Sequence, residues 1–222
     1  RWSCKYHTDM NDRDTLSTEL NVFENFRPEI PENFRDSDYL FLANIHPELQ
    51  MEVLNQVNKP VFTALDTMNF WIEGNRSQLV EVLKKVDAVF LNDSEALDLS
   101  GERFISKAAK AITKFGPATV IIKKGEHGVI MYHEDTFFAL PAYLLDSVKD
   151  PTGAGDSFAG GFMGYVATQN STGKDAFRLG LAYGTCVASF NCEEFGPRRL
   201  AEIDKKVVDG RLGEFLEMTS LS

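Results

Sequence analysis

The residues best placed to do chemistry lie in the run Asp150-Pro151-Thr152-Gly153-Ala154-Gly155-Asp156-Ser157-Phe158-Ala159-Gly160-Gly161-Phe162. Gly153 and Gly155 remove side chains where a helical pattern begins. Successive backbone N–H groups can then point at an anion, with the positive end of the helix dipole behind them. Asp156 falls in the first helical turn beside that anion, where a carboxylate could accept a proton. The same residues also read as an Asp that complements the dipole and a Gly160-Gly161 pair that permits close packing. Neither a dinucleotide GxGxxG nor a Walker A pattern is present, because Phe158 takes the last glycine position of the first and Gly173-Lys174 is followed by Asp175 in the second.

Two further groups could join such a site. Asn92 and Glu95 follow an apolar run ending at Leu91, and their three-residue spacing puts them on one side of a helical turn. They also read as part of a polar helix N-terminus capped by Asp93 or Ser94. In Lys123-Lys124-Gly125-Glu126-His127-Gly128, the glycines follow a strand-like run and would let backbone approach a ligand such as a nucleotide. The alternative is a hairpin turn with two solvated lysines. Strand alternation sends Lys123 and Lys124 to opposite faces, so at most one reaches a shared site.

The elements that must position these residues alternate in type. Apolar and β-branched runs at 38–44, 60–66, 87–92 and 118–123 predict strands. Stretches of helical spacing at 47–57, 77–86, from 93 to just before Gly101, and 105–115 separate or follow them. This order predicts an α/β fold with right-handed crossovers and a mostly parallel sheet covered on both faces. After Lys123, the runs 129–132 and 136–139 predict an antiparallel meander. Helices are expected at 154–168, 175–190 and 205–216. Residues 1–37 hold no helical period and carry the breakers Pro28 and Pro31, which predicts extended strand and loop. Within them, residues 9–14 resemble a calcium loop but place Arg13 at the fifth ligand position, with no glycine after it.

The chain has 222 residues, 23 Lys plus Arg against 33 Asp plus Glu, and a formal net charge of −10. That field disfavours nucleic acid and anionic membrane surfaces as partners. Cys4, Cys186 and Cys192 form neither an even framework nor a CxxC pair, so a disulfide scaffold and a zinc ribbon are not expected and a reducing, cytoplasmic setting is. No run of about 18 apolar residues suggests a membrane span, and no basic-apolar leader stands at Arg1. His46, His127 and His133 lie at no metal-like spacing.

Taken together, residues 150–163 resemble the second signature of the ribokinase-like (PfkB) family of carbohydrate kinases at every position, and the resemblance extends from about Asp38 to Arg198. It implies a three-layer α/β/α core over 38–222, with residues 1–37 forming part of a small β lid. It also implies an ATP-dependent phosphotransferase acting on a hydroxyl of a sugar or sugar-like substrate. Gly153, Ala154 and Gly155 would be the anion hole and Asp156 the base. Lys123, Gly125 and Gly128 would meet the nucleotide. Asn92 and Glu95 would hold Mg²⁺, mostly through water, as an Asn-x-x-Glu motif. Phe195 and Gly196 would line the nucleotide base or a nearby monovalent-cation loop. Tyr6, His7, Asp9 and Asn11 would be substrate contacts in the lid, which would also support a homodimer. The family's first signature, a glycine pair near an early Asp, is not found, so the expectation is a kinase domain lacking roughly its first quarter. Two alternatives follow: a nucleotide-binding or regulatory protein without catalysis, and a kinase acting on nucleosides.

Overall fold

The structure, a computed structural model, describes residues 1–7 and 13–220, the side chains of Trp2 and Arg13 excepted. Asp9 and Asn11 lie outside the described residues. The N-terminal segment forms an antiparallel hairpin, β1 (Trp2–Tyr6) with β2 (Arg13–Thr18), followed by two short 3₁₀ turns. The core then runs β3 (Tyr39–Leu42), α1 (Pro47–Leu54), β4 (Phe62–Asp66), α2 (Asn69–Gly74), α3 (Arg76–Leu83), β5 (Ala88–Asn92), α4 (Asp93–Ser100), α5 (Ile105–Thr113), β6 (Thr119–Lys123), β7 (Val129–His133) and β8 (Thr136–Leu140). It closes with α6 (Ala154–Gln169), α7 (Lys174–Cys192), α8 (Arg198–Glu202) and α9 (Lys205–Thr219).

The sheet has the order β3-β4-β5-β6-β7-β8. Pairing is parallel from β3 to β6 and antiparallel from β6 to β8, as the change of pattern after Lys123 predicts. Central strands such as β4 are buried on both faces, which is why their sequences read as apolar runs rather than alternations. The parallel strands are one to three residues shorter than the apolar runs, and α1 ends at Leu54, because Asn55 and the following turn interrupt the pattern. Two elements escape the periodicity: α2 and α8 span only six and five residues, too few to repeat a period.

Alternation along each strand divides the core in two. Leu65, Val89, Leu91, Val120 and Ile122 pack against Leu79, Leu83, Leu99 and Ile112 of α3, α4 and α5. Phe62, Ala64, Ala88, Phe90 and Ile121 face the opposite way, onto Phe158, Phe162, Phe177 and Leu181 of α6 and α7. A third cluster joins Cys186 and Phe190 of α7 to Val208 and Phe215 of α9, so Cys186 is a core residue whose thiol burial pushes up to about 12. The result is the ribokinase-like three-layer α/β/α arrangement with a separate small β-hairpin. No helix among the described residues is long and apolar enough to cross a membrane.

Close approach of α6 and α7 depends on two glycines. A Cβ at Gly161 would stand 3.0 Å from the Cα of Gly184, and one at Gly184 would stand 2.6 Å from the carbonyl oxygen of Phe158. At Gly160, nothing lies within 4 Å of such an atom, so only one member of the glycine pair is required for packing. Gly184→Ala is therefore expected to destabilise the protein by about 1–3 kcal/mol through overpacking. Gly160→Ala, at an exposed helical site, is expected to stabilise it by up to about 1 kcal/mol. Urea denaturation of the two variants beside wild type checks the opposite signs.

Candidate active site

The period-2 rule fixes which side chains meet at the carboxyl ends of the parallel strands. Asp66 lies two residues beyond Ala64, Asn92 beyond Phe90 and Lys123 beyond Ile121, so all three project to the α6 side of the sheet. Asn92 and Lys123 are register partners across β5 and β6. Lys124 falls on the other side of the alternation, so Lys123 is the lysine that reaches this crevice. Its ammonium bonds Asp66 Oδ2 at 2.6 Å, with the two side chains 18% and 6% exposed. Burial pushes the Asp66 carboxyl above its ordinary range and the negative charge of Asp156 acts in the same direction, while Lys123 opposes both.

Helix α6 opens onto the same crevice. Gly153 is its N-cap residue with φ 84°, a left-handed conformation that favours glycine. The amide of Ala154 turns back to the Pro151 carbonyl at 3.0 Å. The helix's own bonding begins with Ser157 N–H to Gly153 at 2.8 Å, so the amides of Gly155 and Asp156 fall in the first turn, where an α-helix offers no carbonyl partner. A Cβ on Gly155 would stand 3.2 Å from Lys123 Nζ, which puts the ammonium directly against the helix start. Asp156 is exposed in that first turn.

The loop before α6 is held from three sides. Thr152 N–H bonds Asp150 Oδ1 at 2.9 Å, and Thr152 Oγ1 shares a 3.0 Å hydrogen bond with the Tyr6 hydroxyl of the hairpin. The buried Asn191 of α7 donates to the Thr152 carbonyl at 2.9 Å and accepts from Ser157 Oγ at 3.2 Å. The backbone N–H of Lys149 donates to the Cys192 carbonyl at 2.9 Å, and its ammonium forms a 2.7 Å ion pair with Glu194.

Asp66 and Asn191 are not among the residues that the motifs single out. A charged residue closing an otherwise apolar parallel strand is a signal for Asp66. Asn191 lies on an apolar helix and carries no comparable signal.

The remaining expected residues are distributed around this centre. Asn92 and Glu95 form a capping box at α4: Asn92 Oδ1 accepts from Glu95 N–H at 2.8 Å, and Glu95 Oε2 accepts from Asn92 N–H at 2.7 Å. Ser94 Oγ also donates to Asn92 Oδ1 at 2.9 Å. No cage of three or more His, Cys, Asp or Glu side chains stands among the described residues. With those oxygens engaged, the pair suits a cation that keeps its waters and takes phosphate oxygens as ligands, which is the habit of Mg²⁺.

Gly125 and Gly128 both take positive φ, at 55° and 87°. Gly128 is also sterically fixed, since a Cβ there would meet the Leu140 carbonyl at 2.1 Å. Phe195 is exposed and Gly196 takes φ 60° in the turn after α7, beside Glu194. His7 is exposed and pairs with Asp14 across the hairpin at 3.1 Å. Among the described residues of the hairpin, Tyr6 hydrogen-bonds the loop that precedes α6.

Known proteins are similar to this chain in sequence and in fold. Over 157 residues the chain is 34% identical to the cytidine kinase of Thermococcus kodakarensis, a match covering 68% of this chain and 55% of that protein. Over 186 residues it is 25% identical to the nucleoside kinase of Methanocaldococcus jannaschii, covering 81% and 56%. The chain thus spans about half the length of these curated relatives. The crystal structure of the M. jannaschii nucleoside kinase matches the fold with a TM-score of 0.69 at 20% identity, over 95% of this chain and 67% of that one. Fructokinase from Vibrio cholerae O395, solved with fructose, ADP and calcium ion, matches the fold with a TM-score of 0.68 at 14% identity, over 95% and 73%. The profile of the pfkB family carbohydrate kinases covers residues 8–194, from β2 and its approach to the end of α7 and beyond, and the chain belongs to that family.

Proposed function

We propose that the protein transfers the γ-phosphoryl group of ATP to a hydroxyl of a sugar or sugar-like substrate. The observation that carries this reading is the placement of the Lys123 ammonium against Gly155 at the start of α6, with the exposed Asp156 one residue further on. In the proposed reaction Asp156 takes the proton of the acceptor hydroxyl. The acceptor oxygen bonds to phosphorus as the bond to the ADP oxygen breaks. Amides of the Gly153–Asp156 turn and Lys123 take up charge developing on the transferring oxygens. Asn92 and Glu95 would hold Mg²⁺ through water, and that ion when bound would neutralise charge on the polyphosphate. Gly125 and Gly128 would border the nucleotide, with Phe195 and Gly196 near its base, and the hairpin carrying Tyr6 would serve as the lid.

A nucleoside acceptor is the second reading, supported by relatives named cytidine kinase and nucleoside kinase at 34% and 25% identity. The ribose hydroxyls of a nucleoside present the same chemistry to Asp156, so both readings use one phosphate-side apparatus.

ADP release by the full-length protein with Mg-ATP, measured across sugars, sugar acids and nucleosides, separates these readings. Asp156→Asn is expected to lower kcat by about a hundredfold or more while leaving nucleotide affinity nearly unchanged. A variant that keeps over about a tenth of the rate rules out the base assignment. Wild-type ATP binding without turnover on any acceptor would instead support a regulatory protein. Asn191→Ala removes both ends of the bridge between Thr152 and Ser157. It is expected to cost about 1–3 kcal/mol of stability and, by loosening the helix start, to lower kcat/KM by roughly tenfold or more.

A further inference from the structure

The Asp66–Lys123 pair is placed where no stability argument requires it. A carboxylate 6% exposed and an ammonium 18% exposed have both given up most of their hydration, and a well-packed apolar pair commonly serves a core as well or better. The pair also sits at the carboxyl ends of β4 and β6, the edge at which open α/β sheets bind ligands.

The backbone at Asp66 is anchored through its own carbonyl. Gln50 of α1, itself buried, donates to the Asp66 carbonyl at 3.1 Å and to the Ala43 carbonyl at 2.9 Å, tying the ends of β3 and β4 together. Asp66 is thus a fixed carboxylate on a rigid strand. Lys123 is a four-carbon arm whose unrestrained rotamers would spread its charge over several ångströms. Their 2.6 Å contact leaves the ammonium against Gly155, in the first turn of the helix.

We propose that Asp66 is a positioning residue for phosphoryl transfer: it acts through Lys123, holding the ammonium at the start of α6 before the nucleotide arrives. The inference rests on the phosphotransferase reading and adds to it the origin of the lysine's geometry. Charge already in place need not reorganise as the phosphoryl group transfers, whereas misplacement by about 1 Å can cost on the order of a hundredfold in rate. Asp66 itself makes no contact with the reacting atoms in this scheme.

A double-mutant cycle tests it in the full-length protein, with Asp66→Asn, Lys123→Met and the two combined. Asp66→Asn is expected to lower kcat by roughly 10- to 100-fold, with a smaller rise in KM for ATP. It is also expected to reduce the preference for the fluorescent nucleotide mant-ATP over mant-ADP. In the Lys123→Met background, the same change is expected to alter neither quantity by more than about threefold, because its route of action is gone. Equal effects of Asp66→Asn in both backgrounds overturn the proposal, as does an Asp66→Asn enzyme with wild-type kcat. A tenfold rise in the Mg²⁺ concentration giving half-maximal rate also overturns it, by making Asp66 a metal holder instead.

Thermal melting identifies any variant that does not fold. Should Asp66→Asn be one, Asp66→Ser takes its place in the cycle, with the same loss expected in the wild-type background and equal effects in both backgrounds again overturning the proposal. If wild type turns over no acceptor, the phosphotransferase reading fails by itself. The mant-ATP to mant-ADP cycle then still decides whether Asp66 works through Lys123.

Discussion

For the proposed reaction an acidic chain would have to make its positive potential for a polyphosphate locally, and that constraint bears on the whole crevice. With a formal charge of −10, the surface as a whole repels such a ligand. Exposed charges, however, are screened within about 8 Å at physiological ionic strength. The first turn of α6 contributes roughly half a positive charge in oriented amides, and Lys123 contributes one more at the same point. Neither needs a basic surface. What they need is fixed placement, and Asp66 on β4 together with the left-handed turn at Gly153 supplies it.

The packing of the outer helices serves the same end. Because Gly161 and Gly184 let α6 and α7 approach backbone to backbone, the last turns of α7 lie beside the first turn of α6. Asn191 can then span from the Thr152 carbonyl to Ser157 Oγ with an ordinary side chain. A wider interhelical distance would leave those groups without this partner, and the loop from Asp150 to Gly153 would lose its hold on α7. The glycines of helix–helix contact and the glycines of the anion turn therefore do different physical work, although they stand within one short motif.

Much of this is legible in the sequence because it follows from short-range rules. The alternation of β6 selects Lys123 over Lys124, and the glycine-marked helix start places Asp156 in the first turn. The strand-helix order gives the parallel sheet, and the break after Lys123 gives the antiparallel strands. What was not legible is what depends on distant partners. The pairing of Asp66 with Lys123 joins residues 57 positions apart, and that of Tyr6 with Thr152 joins residues 146 apart, so no local pattern encodes either. Asn191 sits among apolar residues of α7 and becomes distinctive only when α6 lies against it. Asn92 and Glu95 show the opposite case: the capping box is a local device written in their spacing, and the same spacing also fits the Asn-x-x-Glu motif.

Backbone amides and an ammonium read charge and distance, and are indifferent to the rest of the molecule that carries a phosphate. Such an apparatus is transferable among acceptors, consistent with relatives whose names cite cytidine and nucleosides while the family profile is that of carbohydrate kinases. In the proposed reaction, then, discrimination among acceptors must come from groups outside the anion turn. The hairpin is physically connected to that turn through the Tyr6 hydroxyl on Thr152, two residues before Ala154 begins α6. Any acceptor that displaces the hairpin must strain or break this bond, and any acceptor that seats it correctly preserves the turn. With the hairpin as the proposed lid, the Tyr6–Thr152 hydrogen bond would report an acceptor's fit to the residues assigned to phosphoryl transfer.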